Sequence, residues 1–259
     1  MGWYGFPRYV TLSEKLAKAE RSLKQLKKKD PSITPLIVTG TKIVKTWWGK
    51  SWIENLKNYA DYSNRLGRGR SYIKNGFILD FKIKEGEITS LVQGTRREPY
   101  EIRIKIEPLD NKTWDEIKKH CEGKIESLTE LIEGEFPKDL AEIFTRKGQG
   151  LFPSPKEIKF GCSCLDWADM CKHVAASLYG VGVKLDTDPK LFFTLRKVEM
   201  NDLITEALQN KSKNMLKKAN KKTSRVIDDS AASKIFDINI DEEIVREIKP
   251  ISKKNNPRV

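Results

Sequence analysis

The sequence predicts an α+β fold, a small antiparallel sheet packed with helices. FILDFKIK and YEIRIKIE alternate apolar and polar residues, as half-buried antiparallel strands do. Residues 12–29 and 111–145 instead carry apolar residues at helical spacing. A third observation places the chemistry: Cys162, Cys164, Cys171 and His173 fall close together in GCSCLDWADMCKHV.

The elements follow in order. Thr11 and Glu14 form a capping-box pair ahead of a basic helix over 12–29. Leu12, Leu16, Ala19, Leu23 and Leu26 make its apolar stripe, and Asp30-Pro31 ends it. Its lysines and Arg21 form a solvated face or a face for phosphates or an acidic partner. Short β runs are expected at 35–39 and 42–45. Trp47, Trp48 and Trp52 open a helix reaching about Tyr62, with the indoles in the core ahead of a base-stacking role.

NRLGRGRSYIKNG reads as a loop. Its Arg65, Arg68, Arg70, Lys74 and Tyr72 suit phosphate contact and base stacking, or form a solvated loop. Strands follow at 77–84, 88–93 and 100–107, the first two joined by KEGE. In the helical region that comes next, Trp114, Ile117, Cys121 and Ile125 share a face, with Leu128, Leu131 and Ile132 continuing it, so Cys121 is expected as a core thiol. His120 lies about 100° round the helix from it, a poor geometry for a nucleophile–base pair.

Pro153 and Pro155 lead an extended chain into a strand at 157–161. Cys162 and Cys164 can then aim both thiolates at one ion. Cys171 is expected just before a helix and His173 just inside it. That helix runs from about Lys172 to Tyr179, stops at Gly180, and buries Val174, Leu178 and Val181. Three thiolates and an imidazole are the donor set of a closed, tetrahedral, structural Zn(II) site. Asp166 and Asp169, hard ligands in the same loop, are expected to be solvated. Asp188 and Pro189 start a short helix through Leu195, and another spans about 201–208. The run 211–225, with Lys217, Lys218, Lys221 and Lys222, has no acid and reads as a disordered arm for nucleic acid. An apolar, acidic stretch follows at 235–245.

These segments divide into an α+β domain over 1–147, a zinc region with its following helices over 148–209, and a tail over 210–259. The chain has 259 residues, 38% hydrophobic and 33% charged, with net charge +13. That charge points to a polyanionic partner, with nucleic acid the first candidate. No apolar run is long enough for a membrane span, MGWYGFPRYV is not a signal peptide, and clustered thiols suit a reducing compartment. A soluble, cytoplasmic protein without a membrane or small-molecule partner is expected. The sequence lacks G-x-x-x-x-G-K-[ST], H-E-x-x-H and G-x-S-x-G. The expectation is therefore no enzyme, with a carboxylate-dependent nuclease ranked last and a protein–protein adaptor as the main alternative.

C-x-C-x(6)-C-x-H, with its histidine entering an apolar helix, resembles the SWIM zinc finger. LFPSPKEIKFGCSCLDWADMCKHVAASLYGVG, GWYGFPRYV, TWWGKSWIENL and the Arg-rich stretch with its NG are similar to prokaryotic SWIM-containing proteins, over about residues 1–200. Leu165 stands where a proline commonly follows the second cysteine. The resemblance implies Cys162, Cys164, Cys171 and His173 as ligands of one structural Zn(II). It also implies binding to DNA, ahead of RNA, or to protein, and association with a Swi/Snf-type helicase-like ATPase carried on a separate chain.

Overall fold

The alternating segments pair as β1 (Ile78–Lys84), β2 (Glu87–Val92) and β3 (Tyr100–Ile106), and the strand leading into the cysteines, β4 (Ile158–Cys162), adds to β3. The computed structural model describes residues 10–121, 124, 130, 133, 138–146 and 149–219. All three strand pairings are antiparallel, in the order β1-β2-β3-β4. Gly86, at φ +64°, turns the chain between Lys84 and Glu87. Directly opposed residues share a face, so Ile88 and Ile104, Ser90 and Ile102, and Ile102 and Cys162 all point to the core side. β3 keeps the expected alternation of buried and exposed residues. β1 does not, because an extended segment lies along its free edge. Leu36 N–H donates to Ile78 O (3.1 Å), Phe81 N–H to Thr34 O (3.1 Å), and Thr34 N–H to Asp80 Oδ1 (2.9 Å). Neither 35–39 nor 42–45 is a strand.

Eight α-helices occur among the described residues: α1 (Leu12–Lys29), α2 (Trp47–Asn55), α3 (Ser63–Lys74), α4 (Asn111–Cys121), α5 (Ala141–Thr145), α6 (Lys172–Leu185), α7 (Leu191–Arg196) and α8 (Met200–Ala219). The capping box on α1 is present: Glu14 N–H donates to Thr11 Oγ1 (3.2 Å) and Thr11 N–H to Glu14 Oε2 (2.8 Å). Only the C-terminal part of its stripe packs, through Ala19, Leu23 and Leu26, while Leu12 and Leu16 are exposed. α2 is shorter than expected, giving way to a 3₁₀ turn at Leu56–Asn58. Trp52 is fully buried and donates Nε1–H to Leu178 O (2.8 Å), a core role. Cys121 is a buried thiol, as its place on the apolar face of α4 predicts, and His120 is exposed.

α6 forms the centre of the core. It packs against α2 and α3 and crosses the inner face of all four strands. It runs past the expected stop at Gly180 because that glycine is a contact surface. A Cβ there would lie 2.8 Å from Leu36 Cδ2 and 2.9 Å from Phe81 Cε2. The Arg-rich stretch, expected as a loop, is helix α3. A Cβ on its Gly69 would fall 2.6 Å from Ala175 Cβ and 2.8 Å from Ala176 N. The missing side chain lets two helix backbones approach.

Cα packing divides the chain into two units, with the boundary after Lys211. β4 is an integral strand of the sheet, so the zinc region expected over 148–209 shares its sheet and core with the region before it. In the second unit the described residues, 212–219, are helical, where a disordered arm was expected. The stretch 1–9, Ile125, Leu128, Leu131 and Ile132, Lys221 and Lys222, and the 235–245 segment lie outside the described residues. No described helix is long and apolar enough to cross a membrane.

Candidate metal centre

Cys162, Cys164, Cys171 and His173 converge, each offering one ligand atom, all within 4.8 Å of one another. Each reaches the cluster for a local reason. Cys162 ends β4 opposite Ile102, which turns its thiol to the face that α6 covers. Ser163 continues the pairing with Glu101 by two bonds, its N–H to Glu101 O and its Oγ from Glu101 N–H, both 3.0 Å. Cys164 lies just beyond. Cys171 is the N-cap of α6, as its position ahead of the first helical turn predicts, and its Sγ accepts the Val174 N–H at 3.5 Å. His173, in the first turn, directs Nδ1 at Cys162 Sγ and Cys171 Sγ, each 3.8 Å away. Ligand bonds of about 2.0–2.3 Å at tetrahedral angles place such donors roughly 3.5–3.8 Å apart. The residues therefore fit one ion, with four protein donors and no carboxylate among them.

The thiols stand close enough to shift one another's acidity. The Cys162 thiol, together with His173 and the Val174 N–H, pulls the Cys171 thiol well below its usual range. The bond with Cys171, together with burial, pushes Cys162 up. Burial also raises Cys164. A bound cation would favour the deprotonated form of all three thiols and release their protons.

The imidazole is held by aromatic rings. Its Nε2 is buried and makes no hydrogen bond to the described residues. A ligating histidine commonly fixes its ring through a hydrogen bond at the second nitrogen. Here Tyr100 stacks on the ring, centroids 4.1 Å apart and planes at 26°, and Tyr72 meets it edge-on at 5.4 Å. The Arg96 guanidinium lies over Tyr100, 5.4 Å from the ring centroid, and donates through Nη1 to Ser163 O (3.1 Å), inside the Cys-x-Cys turn.

α3 braces the loop between Cys164 and Cys171. Arg65 Nη2 meets Asp166 Oδ1 at 2.9 Å, with both side chains largely buried. Asp166 is thus an ion-pair partner rather than the solvated residue expected; Asp169 is exposed, and its N–H donates to Asp61 Oδ2 (3.0 Å). Tyr62 packs edge-on against Trp167, centroids 5.2 Å apart. The structure therefore separates the sequence-predicted residues. The four metal-ligand candidates meet. Of the others, Arg65 is spent on Asp166 and Tyr72 packs against Phe77 and His173, while Arg68, Arg70 and Lys74 are exposed along α3. Lys217 and Lys218 fall within α8. Arg96, Tyr100 and Ser163 were not singled out in the sequence. The adjacent pair Arg96–Arg97 beside Gly94 was the available signal, but nothing local tied it to cysteines more than sixty positions away.

The fold and site define an α+β protein with a Cys₃His cluster able to hold one metal ion. A Mycobacterium tuberculosis (strain ATCC 25618 / H37Rv) protein, described as uncharacterized protein Rv2102, is 36% identical over 163 residues. The match takes in 62% of this chain but only 58% of that relative, less than two thirds of its length. No family model and no solved structure matches the chain.

Proposed function

We propose that the protein is a zinc-binding, SWIM-type accessory factor that binds nucleic acid or protein and works with a Swi/Snf-type helicase-like ATPase. The observation that carries this reading is the Cys₃His cluster built between β4 and α6. Three thiolates and one imidazole favour zinc over harder or larger cations. Four protein donors leave no position for an activated water, which favours a structural ion over a catalytic one. The motif's resemblance to SWIM fingers supports the partner, and the net charge of +13 supports a polyanionic ligand.

The reading makes the purified protein carry one zinc per chain. A Cys162→Ser, Cys164→Ser double variant then loses it. A metal ratio near zero in the intact protein would rule out the metal site. Recovery from native cells, with and without nuclease, tests the partner. The expected result is a helicase-like ATPase, and its absence in both arms removes that part of the proposal.

One observation favours the alternative, a pure protein–protein adaptor. Leu165 and Trp167, at the tip of the metal loop, are 87% and 77% exposed, and Tyr62 beside them is 41% exposed. Exposed aromatic and aliphatic groups on a well-braced loop suit a protein interface. The carboxylates of Asp61 and Asp169 stand close by and disfavour phosphates at this tip. Absence of nucleic-acid binding at about 50 mM salt, for duplex and single strand alike, would select the adaptor.

A further inference from the structure

The nucleic-acid side of that function needs a surface, and the Arg-rich helix α3 offers only part of one. A second basic site involves α1. α1 and the turn after β2 enclose a groove of about 420 Å³, lined among others by Lys18, Arg21, Ser22, Gln25 and Arg97. Lys18 Nζ donates to Thr95 O at 2.6 Å and ties the helix to the turn. Arg21 and Arg97 are exposed and make no ion pair among the described residues. Glu14, the acid at the groove's end, caps Thr11 through both its N–H and its hydroxyl. Glu20, on the same helix, is paired with Lys24 (2.9 Å).

Length identifies the ligand class. Beyond the Glu14 carboxylate, positions 18, 21–22 and 25 form one row along α1, spanning about 10 Å at 1.5 Å per residue. A free phosphate would use one end of such a row. A nucleic-acid strand carries a charge about every 3.4 Å of duplex axis, so several phosphates fit along it. Besides the capping carboxylate of Glu14, the lining includes cations, a hydroxyl and an amide but no aromatic ring, which supplies phosphate contacts without base stacking. The same turn connects the groove to the metal centre, since Arg96 covers Tyr100, which stacks on His173, and holds Ser163 O.

We infer that the groove between α1 and the Arg96–Arg97 turn binds the phosphate backbone of duplex nucleic acid, with Arg21 and Arg97 as contact residues and Lys18 setting the geometry. This rests on the nucleic-acid-binding reading above. The test is fluorescence anisotropy of two labelled DNA duplexes of unrelated sequence across a salt series. The zinc-loaded full chain is compared with Arg21→Ala/Arg97→Ala and with Lys84→Ala/Lys105→Ala. The control removes the same charge from exposed sites at the β1–β2 hairpin end of the sheet. The groove variant is expected to bind at least tenfold more weakly, to both sequences alike. Its log–log salt slope should be shallower by about 1.8, from about 0.9 per lost phosphate contact. The control should keep the native slope. If both variants weaken equally, or neither does, the groove is overturned while nucleic-acid binding stands. If the native chain binds neither duplex at about 50 mM salt, this inference fails; single-strand binding in the same buffer then decides whether the broader reading survives. Metal content and the urea midpoint of each variant, expected to be unchanged for exposed side chains, separate lost contacts from lost folding.

Discussion

Tyr100 lies nearly parallel to the imidazole of His173, with ring centroids 4.1 Å apart. Tyr100 belongs to β3, and His173 to the first turn of α6, so this stack fixes a candidate ligand against the sheet it faces. It takes over the orienting task that a hydrogen bond at Nε2 would perform.

Tyr100→Ala should therefore weaken metal retention as well as stability. Removing a buried aromatic costs about 3–5 kcal/mol, and the ring orientation goes with it. Tyr100→Phe should be close to native, because the hydroxyl makes no hydrogen bond among the described residues. Zinc transfer to a chromophoric chelator would be faster in the alanine variant and unchanged in the phenylalanine variant. Equal transfer rates in all three proteins would show that the stack does not hold the ligand.

The two glycines of α3 should respond oppositely. Gly69 packs against Ala175 and Ala176, so Gly69→Ala overfills the crossing, at a cost of about 1–3 kcal/mol. Gly67 is exposed and a Cβ there meets nothing within 4 Å. Gly67→Ala should gain about 0.5–1 kcal/mol from helix propensity alone. Urea midpoints of the two single variants decide this, and a stabilising Gly69→Ala would contradict the packing described.

That contrast shows what was legible in the sequence. Alternation gave β2 and β3 to within a residue at each end, and ligand spacing gave Cys171 as the helix N-cap, because both signals are local. Gly67 and Gly69 look alike locally, and only the position of Ala175 more than a hundred residues later separates them. Gly180 failed as a stop signal for the same reason: its missing Cβ accommodates Leu36 and Phe81. The clamp on His173 was invisible because Tyr72, Arg96 and Tyr100 come from three elements that the sheet and α6 bring together. Asp166 looked solvated because its partner Arg65 lies on a stretch read as a loop.

Cys121 should shape the alkaline limb of stability. Burial pushes its thiol from the ordinary 9.0 up to about 12. A raised acid pKa means that the folded state favours the neutral thiol. The resulting contribution is fully present below pH 9 and is lost as pH rises from about 9 toward 12. Cys121→Ala should lower stability at pH 7 through a small cavity but flatten the decline between pH 9 and 11. Thiol labelling supplies a second readout at pH 8. In the metal-loaded protein no thiol should react quickly. After chelation Cys162, Cys164 and Cys171 should react, with Cys121 still protected until the protein unfolds.

The Arg65–Asp166 pair is the most local test of how α3 serves the metal loop. Both side chains are largely buried, at 16% and 12% exposure, so removing either leaves an uncompensated charge with limited access to water. Asp166→Ala and Arg65→Ala should each cost about 1–3 kcal/mol, less than a fully dry pair. The double variant should cost less than the sum, and that difference measures the coupling. Because Asp166 lies between Cys164 and Cys171, the single variants should also speed zinc loss to a chelator. Metal loss unchanged alongside lowered stability would mean that the bridge braces α3 alone. Additive stability effects would mean that the two groups do not interact in solution.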